Sequence, residues 1–280
     1  MKSISNAEIK SVKSLSAKKF RDETGLFVVE GEKMVEEALR SPFEVVKVYR
    51  REEVGEDVMA RLSSLSTPSP VLAVLRQRTV AHAGGSQPFV PSDGCSSRKP
   101  DVAIPANGRV SPDRSAPAGG HGVSAGLYLA LDSIRDPGNL GTILRIADWF
   151  GIRAVVASPD TVEVYNPKVV QSTMGAIFRV DFQYVDLEMF AQAVLSAGGS
   201  VYGTFLDGTD IYGQQLKTGA DSPVAIVIGN ESNGISPRIA RLVSDRLFIP
   251  PYPADDPGSE SLNAAVATAI TVAEFRRRLH

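Results

Sequence analysis

Short apolar runs alternate along the chain with segments whose apolar residues recur at helical spacing. Runs typical of strands lie at Leu26–Glu30, Val45–Tyr49, Val71–Leu75, Leu127–Leu131, Ala154–Ala157, Val180–Tyr184, Val201–Leu206, Val224–Ile228 and Leu247–Ile249. Helical spacing predicts helices at Ala7–Leu15, Glu32–Leu39, Leu140–Phe150, Pro167–Met174, Leu187–Ala197 and Leu262–Leu279. From Gly126 onward the two kinds of segment alternate, which predicts an α/β fold with a mostly parallel sheet between helices.

The composition changes sharply between residues 79 and 125. This stretch is rich in Gly, Pro and Ser and has no hydrophobic period, so it predicts a flexible linker. The linker divides the chain into a small α/β domain at residues 1–78 and a larger domain at residues 126–280.

The overall composition excludes several classes of protein. With 43% hydrophobic and 22% charged residues, the chain is typical of a soluble globular protein. No apolar run approaches the roughly 18 residues of a membrane helix, and the N-terminus lacks the apolar block of a secretory signal. A single cysteine, Cys95, fits a reducing cytoplasm.

The histidines exclude further chemistry. His82, His121 and His280 all lie outside the patterned segments, which argues against a metal site or a Ser-His-Asp triad. Any reaction is therefore expected to use Arg, Asn, Ser, Glu and backbone groups.

Charge is distributed unevenly along the chain. The net charge is −2 overall, +5 over residues 1–21 and −5 over residues 126–280. The N-terminal excess indicates either a basic recognition end for an anionic partner or an ordinary solvated helix face.

The first candidate loop follows Leu131, where parallel sheets gather their ligands. Asp136-Pro137-Gly138 is typical of a turn, and Asn139 can cap the helix that follows. Arg145 lies at the margin of the apolar stripe of that helix. It is either paired with Asp148 at the surface or available to a ligand.

The second candidate loop follows Ile228. Glu231 places a carboxylate at the edge of the sheet, either in solvent or in a site. Gly229 lets another molecule approach the backbone, and Gly234 suits a left-handed turn.

The third candidate loop follows Ile249 and leads into the last helix through Ser261, Leu262 and Asn263. The free amides of a helix N-terminus favour anionic groups, although Ser261 could also be only the cap.

In order and wording, the three loops resemble the signature motifs of the SpoU/TrmH family of RNA ribose 2′-O-methyltransferases, in the SPOUT superfamily. The matching segments are DPGNLGTILRIADWFG, IGNESNGIS, and IP followed by SLNAAVATAI. The segment SLSAKKFRDETGLFVVEGEKMVEEAL is similar to the ribosomal-protein-L30e-like substrate-binding domain of that family. Together these segments extend the resemblance over residues 5–78 and 126–280.

The resemblance implies a parallel sheet whose C-terminal chain forms a trefoil knot, with S-adenosylmethionine bound in the knot. It also implies a homodimer through the catalytic domain, in which the partner completes each active site. The implied cofactor-binding residues are Thr204, Gly229, Ile249 and Leu262. The implied catalytic residues are Asn139, Arg145, Glu231, Ser261 and Asn263.

The resemblance also suggests roles for these side chains. Arg145 matches the position commonly assigned as the base, but a guanidinium is a poor base, so we expect it to bind the RNA phosphate and hydroxyl. Asn139, Ser261 and Asn263 are expected to orient the ribose, and Glu231 to hold Arg145 or its own loop. The linker at residues 79–125 is longer than usual in this family, which predicts domains that move independently. The loop before Ser261 is also longer than usual, which predicts that Ile249 and Ser261 are placed differently from the family pattern.

The expected function is S-adenosylmethionine-dependent RNA ribose 2′-O-methylation in the cytoplasm, with no metal and no membrane. 23S rRNA is favoured, because the N-terminal domain resembles that of large-subunit rRNA enzymes. A tRNA substrate, or a non-catalytic RNA-binding protein of the same fold, stays open. A nucleotide-binding oxidoreductase is disfavoured, since Gly120-His121-Gly122 precedes a strand and Gly126 comes one place late for the dinucleotide fingerprint.

Overall fold

The computed structural model describes residues 4–78, 123–253 and 261–279. The predicted linker therefore lies almost entirely outside the described residues, and the predicted domain boundaries stay a prediction.

The N-terminal domain is a three-stranded antiparallel sheet with five helices. Its helices are α1 (Asn6–Ser14), α2 (Lys18–Thr24), α3 (Glu32–Arg40), α4 (Arg51–Val54) and α5 (Glu56–Leu62). Its strands are β1 (Leu26–Glu30), β2 (Val45–Arg50) and β3 (Val71–Arg76), in the order β1-β3-β2. Every residue of β3 except the last is buried, which suits the central strand of a sheet.

The C-terminal domain is built on a six-stranded parallel sheet, which confirms the predicted fold class. Its strands are β4 (Gly126–Leu131), β5 (Ala154–Ala157), β6 (Phe182–Tyr184), β7 (Ser200–Asp210), β8 (Pro223–Ile228) and β9 (Asp245–Phe248). They lie in the order β6-β5-β4-β8-β7-β9. The helices are α6 (Pro137–Trp149), α7 (Pro167–Ser172), α8 (Leu187–Ser196), α9 (Pro237–Ala240) and α10 (Ala264–Arg277), with a short 3₁₀ turn at Ala176–Phe178.

Successive side chains of the central strand β4 enter two different cores. Leu127, Leu129 and Leu131 belong to the core beneath α6, α7 and α10. Tyr128 and Ala130 belong to the core beneath α8. Successive side chains of a strand point to opposite faces of the sheet. Because both faces are covered here, the sequence of β4 is continuously apolar.

One of these cores continues into the N-terminal domain. The ring of Phe27 packs against that of Tyr165 with centroids 4.6 Å apart, and the rings of Phe43 and Phe178 are 5.3 Å apart. Both pairs belong to the core that also contains Leu129 of β4. The expectation that the domains move independently is therefore at odds with the structure, because separating them would expose these rings to water.

Half of the basic side chains in the N-terminal segment are paired or buried within the fold. Sequence patterns do not predict α2, which orders the second half of that segment. Lys18 and Lys19 pair with Asp22 and Glu23 along α2, and Arg21 is buried. In the described part of this segment, only Lys10 and Lys13 stay exposed without an ion pair.

The predicted knot depends on the path of residues 254–260, which lie outside the described ranges, so it stays a prediction. None of the helices in the described ranges combines the length and the apolar character needed to span a lipid bilayer.

Candidate active site

The loops after β4 and β8 begin side by side at the carboxyl edge of the sheet. The two strands pair in register up to Leu131 and Ile228, and the amide of Asp132 donates to the carbonyl of Ile228 at 2.9 Å. This is the edge at which ligands bind in parallel α/β sheets. The sequence-predicted site residues of both loops therefore enter the same region.

Asp136, and not Asn139, caps helix α6. The Oδ1 atom of Asp136 accepts a hydrogen bond from the amide of Asn139 at 2.8 Å, and Pro137 occupies the first helical position. The prediction that Asn139 caps the helix is wrong, because a proline at that position makes the residue before it the cap. Asn139 is the third helical residue, and its side chain is 8% exposed. Because Asp136 caps the helix, the side-chain amide of Asn139 is available to the site.

Three of the predicted catalytic side chains form one chain of hydrogen bonds. Asn139 donates through Nδ2 to Oε1 of Glu231 at 2.6 Å. Asn263 donates through Nδ2 to Oδ1 of Asn139 at 2.8 Å. Because a carboxylate only accepts, Glu231 determines which end of the Asn139 amide faces it, and the oxygen then faces Asn263. The chain joins three loops that are far apart in sequence.

Asn263 anchors the other end of this chain to the last helix. Its Oδ1 atom accepts hydrogen bonds from the amides of Ala265 at 3.0 Å and Val266 at 3.3 Å. Asn263 is thus the cap of α10, which corrects the prediction of a helix beginning at Leu262 and the alternative of Ser261 as the cap. Ser261 is exposed, and its hydroxyl has no partner among the described residues.

The loop carrying Glu231 is closed tightly upon itself. Asn230 and Gly234 exchange two backbone hydrogen bonds of 3.0 and 2.9 Å. A β-carbon on Gly229 would lie 2.3 Å from the backbone of Gly234 and of Ile235, so no side chain fits there. Gly229 was expected to leave room for another molecule to approach its backbone, whereas the chain itself occupies this space.

Two residues that the sequence analysis did not single out hold the loops together. Asn230 donates through Nδ2 to the carbonyl of Ser133 at 2.8 Å. The buried carboxylate of Asp132 accepts a hydrogen bond from the amide of Ser236 at 2.7 Å. An Asn directly after an apolar strand is a known turn former, and this signal could have identified Asn230.

The loop after β5 supports the loop after β4. The hydroxyl of Ser133 donates to the carboxylate of Asp160, and Arg135 lies 3.3 Å from the same carboxylate. Burial raises the pKa of Asp160, but hydrogen bonds from Ser133 and Ser158 and the charge of Arg135 outweigh it and hold this pKa below its ordinary value. The carboxylate therefore stays charged and holds the Ser133 loop.

Arg145 lies apart from the hydrogen-bonded chain. It is six residues beyond Asn139 on α6, about 9 Å along the helix and about 120° around it. The guanidinium is exposed and makes no hydrogen bond or ion pair with the described residues. Asp148, the alternative partner proposed from the sequence, accepts a hydrogen bond from Nε of Arg179 at 2.8 Å. Likewise, Glu231 faces Asn139 and does not hold Arg145.

The predicted cofactor-binding residues lie in β7, just after β8 and β9, and just before α10. Thr204 of β7 pairs with Leu247 of β9, two residues before Ile249. Thr204, Gly229 and Ile249 are half-buried, whereas Leu262 is exposed just before α10. Within the described ranges, no group of three or more His, Cys, Asp and Glu side chains is arranged to hold a metal ion. The expected absence of a metal stays a prediction.

Solved structures with the same fold define the class of protein. A TrmH-family protein from Porphyromonas gingivalis matches 99% of this chain and 100% of its own, with 32% identity and a TM-score of 0.73. An AdoMet-bound rRNA methyltransferase from Sinorhizobium meliloti matches 100% of this chain and 98% of its own, with 27% identity and a TM-score of 0.75. The fold is that of RNA methyltransferases that use S-adenosylmethionine.

The sequence itself identifies the family. Residues 126–273 match the SpoU rRNA Methylase family, and residues 6–54 match the MRM3-like substrate binding domain. The chain belongs to the SpoU rRNA methylase family. It is similar to the 23S rRNA (guanosine(2553)-2′-O)-methyltransferase RlmP of Bacillus subtilis, with 28% identity over 99% of this chain and 98% of that protein.

Proposed function

We propose that this protein transfers a methyl group from S-adenosylmethionine to a ribose 2′-hydroxyl of 23S rRNA. The observation that carries the proposal is the hydrogen-bonded chain Glu231–Asn139–Asn263, which unites the three predicted motifs at one edge of the sheet. The choice of 23S rRNA is supported by the similarity to RlmP over nearly the whole of both chains.

The residues proposed for cofactor binding fit S-adenosylmethionine. Among the described residues, the backbone groups of Gly229, Ile249 and Leu262 have no hydrogen-bond partner, so they can recognise the edge of an adenine. Leu206 of β7 and Leu262, which lies between β9 and α10, have exposed apolar side chains. An aromatic base with polar edges suits such a combination of apolar surface and backbone groups.

The chain supplies orientation and charge for the transfer. S-adenosylmethionine, when bound, provides a methyl group on a sulfonium, which is already a good leaving group. Asn139 and Asn263, whose amides are oriented by Glu231, position the ribose, and the Ser261 hydroxyl is available to its oxygen. Arg145 binds the adjacent phosphate. A guanidinium does not lose its proton, so Arg145 stays positively charged, and this charge makes the ribose hydroxyl more acidic.

The position of Arg145 supports a homodimer. Arg145 and Trp149 are one turn apart on α6, and the Trp149 side chain is 85% exposed. An exposed tryptophan beside an unpaired arginine suits contact with a second copy of the chain. In such a dimer, Arg145 of one protomer reaches the Asn139 site of its partner.

The proposal is tested by single-turnover methylation of an unmodified 23S rRNA transcript by the Arg145→Ala variant. We expect methyl transfer to fall by at least about a hundredfold, the scale of a lost electrostatic contact in a closed site. The affinity for S-adenosylmethionine should stay nearly unaltered, since the cofactor-binding loops are elsewhere. Arg145→Lys should recover little activity, because an ammonium lacks the planar two-point contact of a guanidinium.

Arg241→Ala provides a matched control. Arg241 is exposed and has no ion pair within the described part of the chain, yet it lies at the end of α9, outside the proposed site. Sedimentation must show that each variant is still a dimer, since a dissociated dimer would mimic a catalytic defect. A dimeric Arg145→Ala enzyme with the turnover of Arg241→Ala would remove Arg145 from the mechanism.

The target nucleotide is identified by mapping 2′-O-methyl marks in RNA from a strain lacking this gene. Loss of one mark in 23S rRNA is the expected result, and it would place the protein in the cytoplasm with the ribosomes. Loss of a mark in tRNA alone would reject the proposed substrate.

A further inference from the structure

Arg21 is a buried charge at the boundary between the two domains. It is 2% exposed, and its guanidinium makes four hydrogen bonds. Nε donates to Oε1 of Glu163 at 3.0 Å, and Nη2 contacts Oε2 of the same carboxylate. Nη1 donates to the carbonyls of Leu15 and Ser16, both at 2.8 Å. The planar guanidinium thus joins the N-terminal domain to a carboxylate of the catalytic domain at two points.

The segment carrying Glu163 continues directly into the candidate active site. The amide of Val162, the preceding residue, donates to the carbonyl of Ile134 at 2.8 Å. Nearby, the hydroxyl of Ser158 accepts a hydrogen bond from the amide of Ser133 at 2.8 Å. The carbonyl of Ile134 and the amide of Ser133 belong to the loop that ends in the cap of α6, whereas Val162 and Ser158 belong to the segment after β5. The segment that carries Glu163 is therefore anchored through its backbone and Ser158 beside the loop of the catalytic amides, so Glu163 places the N-terminal domain next to that loop.

A second ion-pair cluster lies across the same boundary. Arg179 contacts Glu37 of the N-terminal domain and Asp148 of α6. Glu37 lies against Gly175, where a β-carbon would fall within 1.9 Å of the carboxylate. The two clusters, together with the shared aromatic contacts, limit rotation of one domain on the other.

Two exposed lysines lie on the N-terminal side of this boundary. The carbonyls of Leu15 and Ser16 that bind Arg21 lie immediately after α1. Lys10 and Lys13 of α1 are exposed, and neither has an ion pair with the described residues. Cations of this kind bind nucleic-acid phosphates without reading sequence. Arg21 therefore connects a helix that carries two exposed lysines to the loop network of the candidate active site.

We propose that Arg21 is a positioning residue for RNA: its pair with Glu163 holds α1 at one place relative to the catalytic amides. RNA phosphates bound to α1 then lie at a set distance from the ribose to be methylated. This inference rests on the proposed function, which supplies the RNA substrate. The docking of the two domains does not depend on the proposed function. If Arg21 only stabilised the fold, its removal would change the free energy of unfolding without changing the affinity for RNA.

The test uses the full-length protein with two variants. Arg21→Met leaves the partly buried carboxylate of Glu163 without its partner and could fail to fold. The double variant Arg21→Met/Glu163→Met removes both charges and keeps apolar bulk, so it preserves the fold while losing the polar connection. Arg238→Met is the control, because Nε and Nη2 of Arg238 both donate to Oε2 of Glu188 in an exposed ion pair that lies within the catalytic domain.

Two measurements are made on each variant. After Cys95→Ser, spin labels at the exposed positions Ala60 of α5 and Gln192 of α8 report the distance between the domains, with labelled chains diluted by unlabelled protein. Methylation of an unmodified 23S rRNA transcript gives kcat and KM, and calorimetry gives the Kd for S-adenosylmethionine.

We expect one narrow distance distribution in the parent and the control, and a broad one in the double variant. KM for RNA should rise by at least about tenfold in the double variant, with kcat and the cofactor Kd within about twofold, because only the placement of RNA is lost. An unchanged distance distribution, or an unchanged KM despite a broad one, would overturn the proposal. A parent protein that shows a narrow distribution but methylates no RNA would instead contradict the proposed function.

Discussion

Gly229 and Gly234 lie in the same loop but require glycine for different reasons. At Gly229 a β-carbon would collide with the backbone of Gly234 and Ile235 at 2.3 Å. At Gly234 the space around a β-carbon is open, but φ is +66°, in the left-handed region. The first position therefore excludes any side chain, whereas the second excludes only residues that avoid this conformation.

Gly229→Ala should open the loop that carries Glu231. We expect the free energy of unfolding to fall by about 1–3 kcal/mol, the usual cost of overpacking. S-adenosylmethionine binding should weaken by at least about tenfold, an amount equal to about 1.4 kcal/mol. Urea unfolding and calorimetric titration measure the two effects.

Gly234→Asn is the control for this substitution, because Asn tolerates the left-handed region and nothing blocks its β-carbon. It should change both quantities by less than Gly229→Ala does. If Gly229→Ala matched the parent in stability and in binding, the loop would have more room than the structure gives it.

At this scale the sequence identified the residue types of the site but not their partners. Asn139, Glu231 and Asn263 were singled out by their motifs. Their hydrogen bonds join positions 92 and 124 residues apart, and depend on β4 and β8 being neighbours in the sheet. The cap of α6 was misassigned because both Asp136 and Asn139 are good capping residues, and only Pro137 distinguishes them.

Helix α10 is held at both ends. Asn263 caps its start, and Arg276 donates to the carbonyls of Phe150 and Gly151 at its end, both at 2.8 Å. Those carbonyls follow α6, so the arginine satisfies groups that a helix C-terminus leaves unpaired. The site therefore rests on two helices joined at the end remote from it.

The carboxylate of Glu274 adds a pH-dependent contribution to this helix. The hydrogen bond from Arg277 is the main cause that lowers the pKa of Glu274 from 4.5 to about 2, with further help from Arg278. Because the folded pKa lies below the unfolded one, the stabilisation is complete above about pH 4.5 and is lost as the pH falls towards 2. Glu274→Gln should lower stability at neutral pH and reduce the loss of stability on acidification.

Urea unfolding midpoints measured across this pH range test the prediction. Glu36→Gln serves as the control, because Glu36 of α3 is exposed and has no ion pair with the described residues. The Glu36 variant should follow the parent at every pH. If Glu274→Gln also followed the parent, the carboxylate would not contribute to folding.

Elements with a continuous apolar pattern were predicted well, whereas several short helices were missed. The strands β1 and β5 lie at the residues predicted for them, since their apolar runs are bounded by polar or turn residues. The helices α2 and α4 contain seven and four residues, too few to display a helical period. The strand β7 extends to Asp210, beyond its predicted end, because its second half is largely exposed and has no apolar signal.

At the scale of the whole molecule, the two domains share a core that composition alone does not predict. The Gly/Pro/Ser-rich stretch indicates where the chain changes character, and the domain boundaries drawn from it stay a prediction. Arg21 and Glu163 are 142 residues apart, and neither lies in a local sequence pattern that predicts its contact with the other. Side chains that dock one domain on another resemble ordinary core and surface residues in sequence.

Limited proteolysis of the folded protein should cut first within residues 79–125, as their composition predicts. Because the core is shared, we expect the two fragments to stay associated and to elute together in size-exclusion chromatography without denaturant. They should separate only in urea, at the concentration that unfolds the uncut chain. Fragments that separate in native buffer would contradict the shared core.

The alternation of β4 side chains between two cores has a consequence for engineering. Leu129 lies in the core shared with the N-terminal domain, and its neighbour Ala130 lies in the core beneath α8. Substitutions on opposite faces of a strand have few common neighbours, so their effects on stability are close to additive. Each side of the sheet can thus be optimised in a separate library, and the best variants combined without a further round of selection.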